Sequence, residues 1–262
     1  MRKAAFAGQF YSSDSKELEK SIKEMLKDSG KPLKKAFGII SPHAGYAYSG
    51  KAAAFSYKAI SKQKFDTFVI LGTNHSGRGI GISDEDVETP LGIIKTDKEF
   101  CNLLKYDKNF PAYEHSIEVQ LPFIQHLFKD AKIVAIAVSS DSYSDCFKLA
   151  ESIYSATKKL KRKICVIASG DFTHYGEAYG FTDKKPSEID PKAIKLIEKL
   201  DARKFFEFSN NLTICGNSAI TACIELCKKL GSRKAKLLKY YNSRDVSGDY
   251  SNIVGYASMV FV

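Results

Sequence analysis

Three of the five histidines follow directly on apolar, β-branched runs of the sequence. Loops that leave the carboxyl ends of parallel strands converge on one crevice of an open α/β sheet, so we expect these imidazoles to meet there. Imidazole is a ligand for transition metals and an acid–base group near neutral pH. The pattern therefore predicts a metal site or an acid–base site. The three residues are His43, His75 and His174.

His43 and His75 are the candidates for metal ligands. Gly45 and Gly50 permit a tight turn after His43, and Asn74-His75 leaves a second strand in the same way. A single histidine of this kind is often a solvated loop residue, whereas two neighbouring imidazoles suit a transition metal. Catalytic metals are commonly held by three protein groups with one position left open. A third ligand is therefore expected, and carboxylate and thiolate are the candidates.

Cys215 is the thiol that the sequence singles out. It directly precedes a segment with the pattern of a helix, 217–230, and a helix N-terminus favours the thiolate form. Cys223 and Cys227 lie within that same segment among apolar residues, and Cys165 lies inside a predicted strand. We expect these three to be buried as small hydrophobic side chains.

Two carboxylate–histidine pairs stand three residues apart. If the turn after the strand at 164–168 is helical, Asp171 lies on one face with His174 and orients it as a general acid or base. The alternative is that Asp171 caps a turn. His115 and Glu118 form a similar pair on a predicted helix, which predicts either a metal-binding pair or a supporting or surface role for His115.

The elements that must position these residues alternate between helix and strand, which predicts βαβ units. We expect an α/β fold: residues 1–262 form a single domain with a mostly parallel central sheet and helices on both faces. Residues 72–94 are predicted to be an insertion or a hairpin. The predicted helices are 14–28, 50–60, 114–128 with a kink or restart at Pro122, 144–160, 191–200 and 217–230; the predicted strands are 37–41, 67–71, 132–138, 164–168, 237–241 and 253–262.

Composition excludes several classes of function. The net charge is +10, but the lysines are spread over helix-like segments, which is typical of a solvated face, and no base-reading motif occurs. We therefore expect no nucleic-acid partner. The N-terminal residues lack the apolar core of a signal peptide, and no run of eighteen apolar residues follows, so we expect no membrane association. Six cysteines without a CxxC pair favour reduced thiols in the cytoplasm.

Five motifs and a closing segment, in their order along the chain, resemble the Memo family over nearly the whole sequence. They are PHAGYxYSG (42–50), LGTNH (71–75), EHSIExQLP (114–122), SGDFTHYG (169–176) and CG (215–216), followed by YxS and VGYA within 241–257. The resemblance implies a fold similar to that of the class III non-haem iron extradiol dioxygenases, with a metal at the rim of the sheet. It also implies His43, His75 and Cys215 as metal ligands, with Asp171 and His174 in the same pocket.

The implied ligand set differs from that of the dioxygenases, which hold ferrous iron with two histidines and one carboxylate. A thiolate shifts the preference toward softer metals, so ring cleavage is not inherited with the fold. We expect one transition metal ion, Fe(II) or Cu in preference to Zn. Iron binding, copper-linked oxidation and phosphopeptide capture in receptor signalling are all associated with Memo proteins.

Three hypotheses about function follow. The first is a metal-dependent oxidoreductase that acts on a small molecule, with His174 moving protons. The second is a binding module that captures an acidic or phosphorylated peptide in the same cleft. The third is a metal-independent enzyme that uses Cys215 with His174 for thiol or acid–base chemistry. Supporting positions around the pocket are predicted at Tyr48, Asn74, Thr173 and Tyr241.

Overall fold

Five parallel strands form the centre of the β-sheet in the computed structural model, which describes residues 1–107 and 109–262. Antiparallel strands extend this centre at its edges. The strands of the described residues are β1 (Gly38–Ser41), β2 (Thr67–Thr73), β3 (Gly79–Ser83), β4 (Val87–Thr89), β5 (Gly92–Thr96), β6 (Lys132–Ser139), β7 (Ile164–Ser169), β8 (His174–Tyr175), β9 (Ala235–Asn242) and β10 (Ile253–Phe261).

The strand order is β4-β5-β6-β2-β7-β1-β10-β8, with β3 paired to β6 and β9 paired to β10. Strands β2, β6, β7 and β1 are buried on both faces and rich in Ile and Val, as is typical of parallel strands covered by helices. The predicted α/β fold with a parallel central sheet is confirmed, and antiparallel pairing is confined to the flanks.

Helices cover both faces of the sheet, as predicted. The α-helices of the described residues are α1 (Ser15–Lys27), α2 (Tyr46–Ile60), α3 (Lys98–Leu103), α4 (His115–Glu118), α5 (Leu121–Leu127), α6 (Tyr143–Leu160), α7 (Pro186–Glu198), α8 (Ala202–Ser209), α9 (Asn217–Leu230) and α10 (Arg244–Ser247). One face of the sheet packs against α6 and α9 through residues such as Ile153 and Ile220, and the other packs against α1, α2 and α5 through residues such as Ile22 and Phe123.

Helix starts are where the sequence prediction was least accurate. Helix α2 begins at Tyr46 rather than at residue 50, because the backbone N–H of Ser49 already donates to the carbonyl of Gly45 and so closes the first helical turn. Helix α7 begins at Pro186 and contains Pro191, which the sequence had suggested as the first helical residue. Pro122 lies in the first turn of α5, so the predicted restart of the helix is confirmed.

The carboxyl ends of β1, β2 and β7 lie side by side at one edge of the sheet. The segments that leave these three ends carry His43, His75 and Asp171. Cys165, Cys223 and Cys227 are buried in the core, as predicted. No helix within the described parts of the chain combines the length and the apolar character needed to cross a membrane.

Candidate metal centre

Four candidate residues reach the same edge of the sheet from separate segments. His43 lies two residues after β1, His75 two residues after β2, and Asp171 two residues after β7. Cys215 lies two residues before α9. Gly216, between Cys215 and the helix, has a φ of 86°, which glycine adopts without steric strain. The fold therefore brings together residues that are up to 172 positions apart in the sequence.

The donor atoms of His43, His75 and Cys215 converge on one point. The Sγ of Cys215 lies 3.3 Å from Nε2 of His43 and 3.2 Å from Nε2 of His75, and the three ligand atoms all lie within 4.8 Å of one another. A metal with bonds of about 2.1 Å to nitrogen and about 2.3 Å to sulfur separates the two donors by about 3.1 to 3.5 Å, depending on the bond angle. The nitrogen–sulfur separations fit that range.

Hydrogen bonds determine which nitrogen of His43 faces the thiol. Its Nδ1 lies 3.3 Å from the hydroxyl of Ser169. That hydroxyl donates to the carbonyl of Ser116 and accepts from the side-chain amide of Gln120, so its remaining lone pair accepts from Nδ1–H of His43. Nε2 is left unprotonated, which is the form of an imidazole nitrogen that binds a metal.

Glu114 determines which nitrogen of His75 faces the thiol of Cys215. One carboxylate oxygen accepts from Nδ1 of His75 at 2.8 Å and the other accepts from its backbone N–H at 2.9 Å. The carboxylate also accepts from the backbone N–H of Ser116, at the start of α4. A carboxylate that orients a histidine in this way is common around protein-bound metals and makes the imidazole a better donor.

The electrostatics of the site favour a thiolate. Burial alone would raise the pKa of Cys215, but the neighbouring His43 and His75 lower it to about 5. Burial alone would lower the pKa of each histidine; Asp171 and Cys215 instead raise that of His43 to about 9, and Cys215 and Glu114 raise that of His75 to about 10. A metal cation at this site would therefore meet a deprotonated thiol and would displace protons from the imidazoles.

Asp171 contacts His43 rather than His174. Its Oδ1 accepts from the backbone N–H of His43 at 2.8 Å, and Oδ2 lies 3.9 Å from Nε2 of the same residue. The predicted helical turn does not form, because Thr173 bridges to Ile214 and β8 begins at His174. The expected pairing of Asp171 with His174 is therefore wrong, and Asp171 instead holds the loop after β1.

His174 lies on β8, next to the segment that leads to Cys215. Its Nδ1 lies 3.0 Å from the carbonyl oxygen of Phe172 and 3.2 Å from that of Thr213. Carbonyl oxygens only accept hydrogen bonds, so Nδ1 carries the proton. Nε2 is left to exchange a proton with another group, and the ring packs edge-on against Tyr179.

His115 stacks on His75 and does not pair with Glu118. The two imidazole centroids are 4.4 Å apart, and His115 also packs edge-on against His43. Glu118 turns away and accepts from the backbone of Ala5 and Phe6 and from the hydroxyl of Tyr11. Of the alternatives for His115, a metal-binding pair with Glu118 is therefore wrong, and a supporting position beside the candidate ligands remains. Burial and the nearby histidines lower the pKa of His115 to about 4.

The four predicted supporting residues take different positions. The Oδ1 of Asn74, next to His75, is buried without a hydrogen-bond partner among the described residues, as expected of a group beside a bound ion or its solvent. The hydroxyl of Tyr241 donates to the carbonyl of Tyr48, and both residues line a cavity of about 790 Å³ beside α2. Thr173 is buried and donates to Asp190.

Sequence reasoning missed the residues that orient the ligands. Glu114, Ser169 and Gln120 were not singled out, although each lies in a motif that had been noted for another residue. A carboxylate directly before His115 was a usable signal for Glu114. Thr73, whose hydroxyl lies 3.5 Å from Sγ of Cys215, had no signal beyond its place at the end of a strand.

Comparison with known proteins identifies the family. A family model described as "Memo-like protein" matches residues 2–260. The chain belongs to the Memo-like family. A MEMO1 family protein of Methanosarcina barkeri is 37% identical over 270 residues, covering 99% of this chain and 99% of the relative. One of Pyrococcus furiosus is 40% identical over 288 residues, covering 99% of this chain and 98% of the relative.

Among solved structures, an uncharacterized protein of Escherichia coli K12 aligns with a TM-score of 0.44 at 9% identity, over 76% of this chain and 87% of that chain. The Memo resemblance that the sequence motifs indicated is thus confirmed by the family model and the relatives. In this Memo-like chain the motif residues His43, His75 and Cys215 form a group with the donor atoms and spacing of a metal site.

Proposed function

We propose that this Memo-like protein is a metal-dependent oxidoreductase that binds one transition metal ion through His43, His75 and Cys215. The observation that carries the proposal is the convergence of two Nε2 atoms and one Sγ, with each imidazole oriented from behind by Ser169 or Glu114. Residues 1–262 would act as one domain with reduced thiols, in the cytoplasm, on a small-molecule substrate.

Two imidazoles and one thiolate accept Fe(II), Cu and Zn alike. We favour Fe(II) or Cu because a metal that changes oxidation state would pass electrons from a small-molecule substrate to dioxygen, which Zn does not do. Such an ion, held by three protein ligands, would supply one-electron chemistry and a coordination position open to substrate. The side chains around the ion would determine which substrate reaches this open position.

The protein's own residues would divide the remaining work. Asp171 holds the loop that carries His43 and places negative charge 3.9 Å from Nε2 of that ligand. His174 is held through Nδ1 by two carbonyl oxygens, which leaves Nε2 to accept a proton from the substrate and return it. Tyr48 and Tyr241 line the cavity beside α2, whose lining residues include no candidate metal ligand, so they are assigned no part in the reaction.

Elemental analysis tests the ligand set. The wild-type protein, Cys215→Ala and His75→Ala are purified without oxygen and reconstituted with equal amounts of Fe(II), Cu and Zn. We expect about one metal per wild-type chain and much less in either variant. His126→Ala is the matched control, because His126 lies on α5 beside Glu19 and is absent from the group of candidate ligands.

Oxygen consumption tests the reaction class. Wild type loaded with iron or copper is offered phenolic and other small substrates, and turnover should disappear in Cys215→Ala. A protein that stays free of metal overturns the proposal. Stoichiometric metal without oxidation, together with tight binding of an acidic or phosphorylated peptide, would support the binding module instead. Turnover that persists without metal would support the thiol or acid–base enzyme.

A further inference from the structure

A cluster of cationic side chains lines a cavity of about 640 Å³ at the end of the sheet opposite the metal centre. The cavity lies beside the start of β1 and β7, whereas His43 and Asp171 follow the ends of these strands. The six residues of β7 separate the two places by about 20 Å. No aspartate or glutamate is found among the lining residues, and the cations are Lys34, Lys35, Lys158, Lys161, Arg162 and Lys163.

The lysines of this cavity are not neutralised by the protein. Arg162 is paired with Asp97 and Glu99, at 3.1 and 2.8 Å. In the part of the chain that the structure describes, the five lysines form no ion pair with a carboxylate. Instead, the ammonium groups of Lys35 and Lys163 lie 4.7 and 5.7 Å from the ring centroids of Phe37 and Phe65.

The partial negative charges at helix C-termini offset only part of the positive charge of these lysines. Helices α2, α6 and α9 all end near the cavity, and lysines commonly offset the partial negative charge at such ends. Each helix end carries about half a negative charge, so three ends offset about 1.5 of the five lysine charges. The cavity therefore keeps a substantial positive excess.

Lys161 and Gln63 place different groups beside the cavity. Lys161 has a φ of 53° at the C-cap of α6, a conformation that favours glycine, yet this position carries a lysine beside the cavity. The Oε1 of Gln63 accepts from the backbone N–H of Ala36, and its Nε2, which has no partner among the described residues, is buried from solvent. The cationic side chains are therefore the donors that a ligand in the cavity would meet.

We propose that this cavity binds an oligophosphate, either inorganic or as the phosphate chain of a nucleotide. About 3.5 positive charges remain once the three helix ends are counted, which suits a multiply charged oligophosphate, and lysine is a common phosphate ligand in proteins. The volume suits a small molecule. Phe37 and Phe65 give the wall an apolar part against which a base could lie. The proposal is independent of the metal centre and of its reaction.

Isothermal titration of the full chain with sodium triphosphate and with ATP tests this site. At an ionic strength of about 0.05 M, where charge interactions are weakly screened, we expect binding tighter than about 0.1 mM. The variant Lys34→Ala/Lys161→Ala/Lys163→Ala should bind at least about tenfold more weakly. The control Lys16→Ala/Lys20→Ala/Lys192→Ala has the same net charge but alters exposed lysines of α1 and α7, and it should change affinity by less than about twofold.

Two single variants distinguish the loss of a positive charge from a loss of stability and from an effect at the metal centre. Lys161→Gly removes one cation and also relieves the positive φ, so weaker binding by this variant does not reflect a less stable fold. His43→Ala should bind triphosphate like the wild type, because His43 lies at the opposite end of β1.

The relative affinities identify the source of the phosphate chain. Equal binding of triphosphate and ATP indicates that the phosphates carry recognition, and tighter binding of ATP indicates a nucleotide site; both support the proposal. No binding of either ligand up to about 1 mM overturns it, as does equal weakening in the lysine control. Binding of a single-stranded oligonucleotide without binding of either small ligand also overturns it.

Discussion

The carboxylate of Asp171 accepts a hydrogen bond from the backbone N–H of His43, 128 positions earlier in the chain, at 2.8 Å. Its second oxygen lies 3.9 Å from the nitrogen of His43 that faces Cys215. Both residues are buried, so solvent screens this interaction little. Asp171 therefore acts on a candidate metal ligand, both by holding its loop and by its charge.

Asp171→Asn separates these two contributions. The amide oxygen can still accept from the N–H of His43, but the negative charge beside Nε2 is lost. We expect affinity for the metal to fall by about 10- to 100-fold, as is typical for residues that support metal ligands. A competition titration with a coloured chelator measures this fall. Asp141→Asn is the control because Asp141 forms an exposed ion pair with Arg78, and full affinity in Asp171→Asn would contradict the prediction.

Gly170→Ala tests how closely Cys215 is held. A methyl group at Gly170 would lie 2.7 Å from the carbonyl oxygen of Cys215, so the backbone that carries the thiol must move. We expect a loss of about 1 to 3 kcal/mol in the free energy of unfolding and weaker metal binding, measured by urea titration and chelator competition. Gly77→Ala is the control, because its added methyl group meets only the side chain of Asn74, at 3.6 Å. Equal effects of the two variants would refute this account.

Cys215 should be the reactive thiol of the metal-free protein. Burial would raise its pKa, but His43 and His75 lower it to about 5, so the thiolate forms as pH rises through that value. The rate of alkylation by iodoacetamide, followed by mass spectrometry, should therefore be level between about pH 7 and 9. An ordinary thiol, with a pKa near about 8.5, would still be gaining reactivity there.

Two controls accompany this measurement. The remaining five cysteines are buried and should react slowly at every pH. Added Fe(II) or Cu should protect Cys215, because a coordinated thiolate is no longer available as a nucleophile. An alkylation rate at Cys215 that keeps rising above pH 8, or that added metal does not lower, would contradict the low pKa and the metal-binding role expected of this thiol.

Asp190 gives the fold an unusual dependence on pH. Its carboxylate is buried and accepts from the backbone and hydroxyl of Thr173 and from the hydroxyl of Tyr240. Burial raises its pKa above the ordinary 3.8 despite these hydrogen bonds. Between 3.8 and the raised value the native state binds more protons than the unfolded state, so this group contributes more stability as pH falls through that window.

Asp190→Asn removes this titration. The unfolding free energy of the wild type relative to this variant should therefore increase as pH is lowered from about 7.5 to about 4.5, as measured by urea unfolding at each pH. At neutral pH we expect Asp190→Asn to be less stable by about 1 to 3 kcal/mol, because the amide oxygen still accepts from Thr173 but the amide nitrogen is a donor that faces the hydroxyl donor of Tyr240. A stability difference that is constant with pH would show that Asp190 titrates alike in both states.

The family and the candidate ligands could be predicted from the sequence because their signals are local. His43 and His75 each follow a strand that its apolar residues identify, and Cys215 precedes a helix with a clear apolar face. The same periodicity predicted helix α9 with its correct bounds, and the strand β2 from its first residue. In each case the spacing of apolar residues reflects which face of the helix or strand is buried.

The partners of those ligands were decided only by the tertiary structure. Spacing suggested that Asp171 pairs with His174 and His115 with Glu118, yet Asp171 binds the loop of His43, and Glu118 binds the N-terminal segment. Both predictions assumed that neighbours in sequence are neighbours in space. A side chain instead turns to the donors that packing brings to it, and these come from distant segments. The residue types and their order therefore determined the chemistry available, while the packing of strands determined which side chains meet.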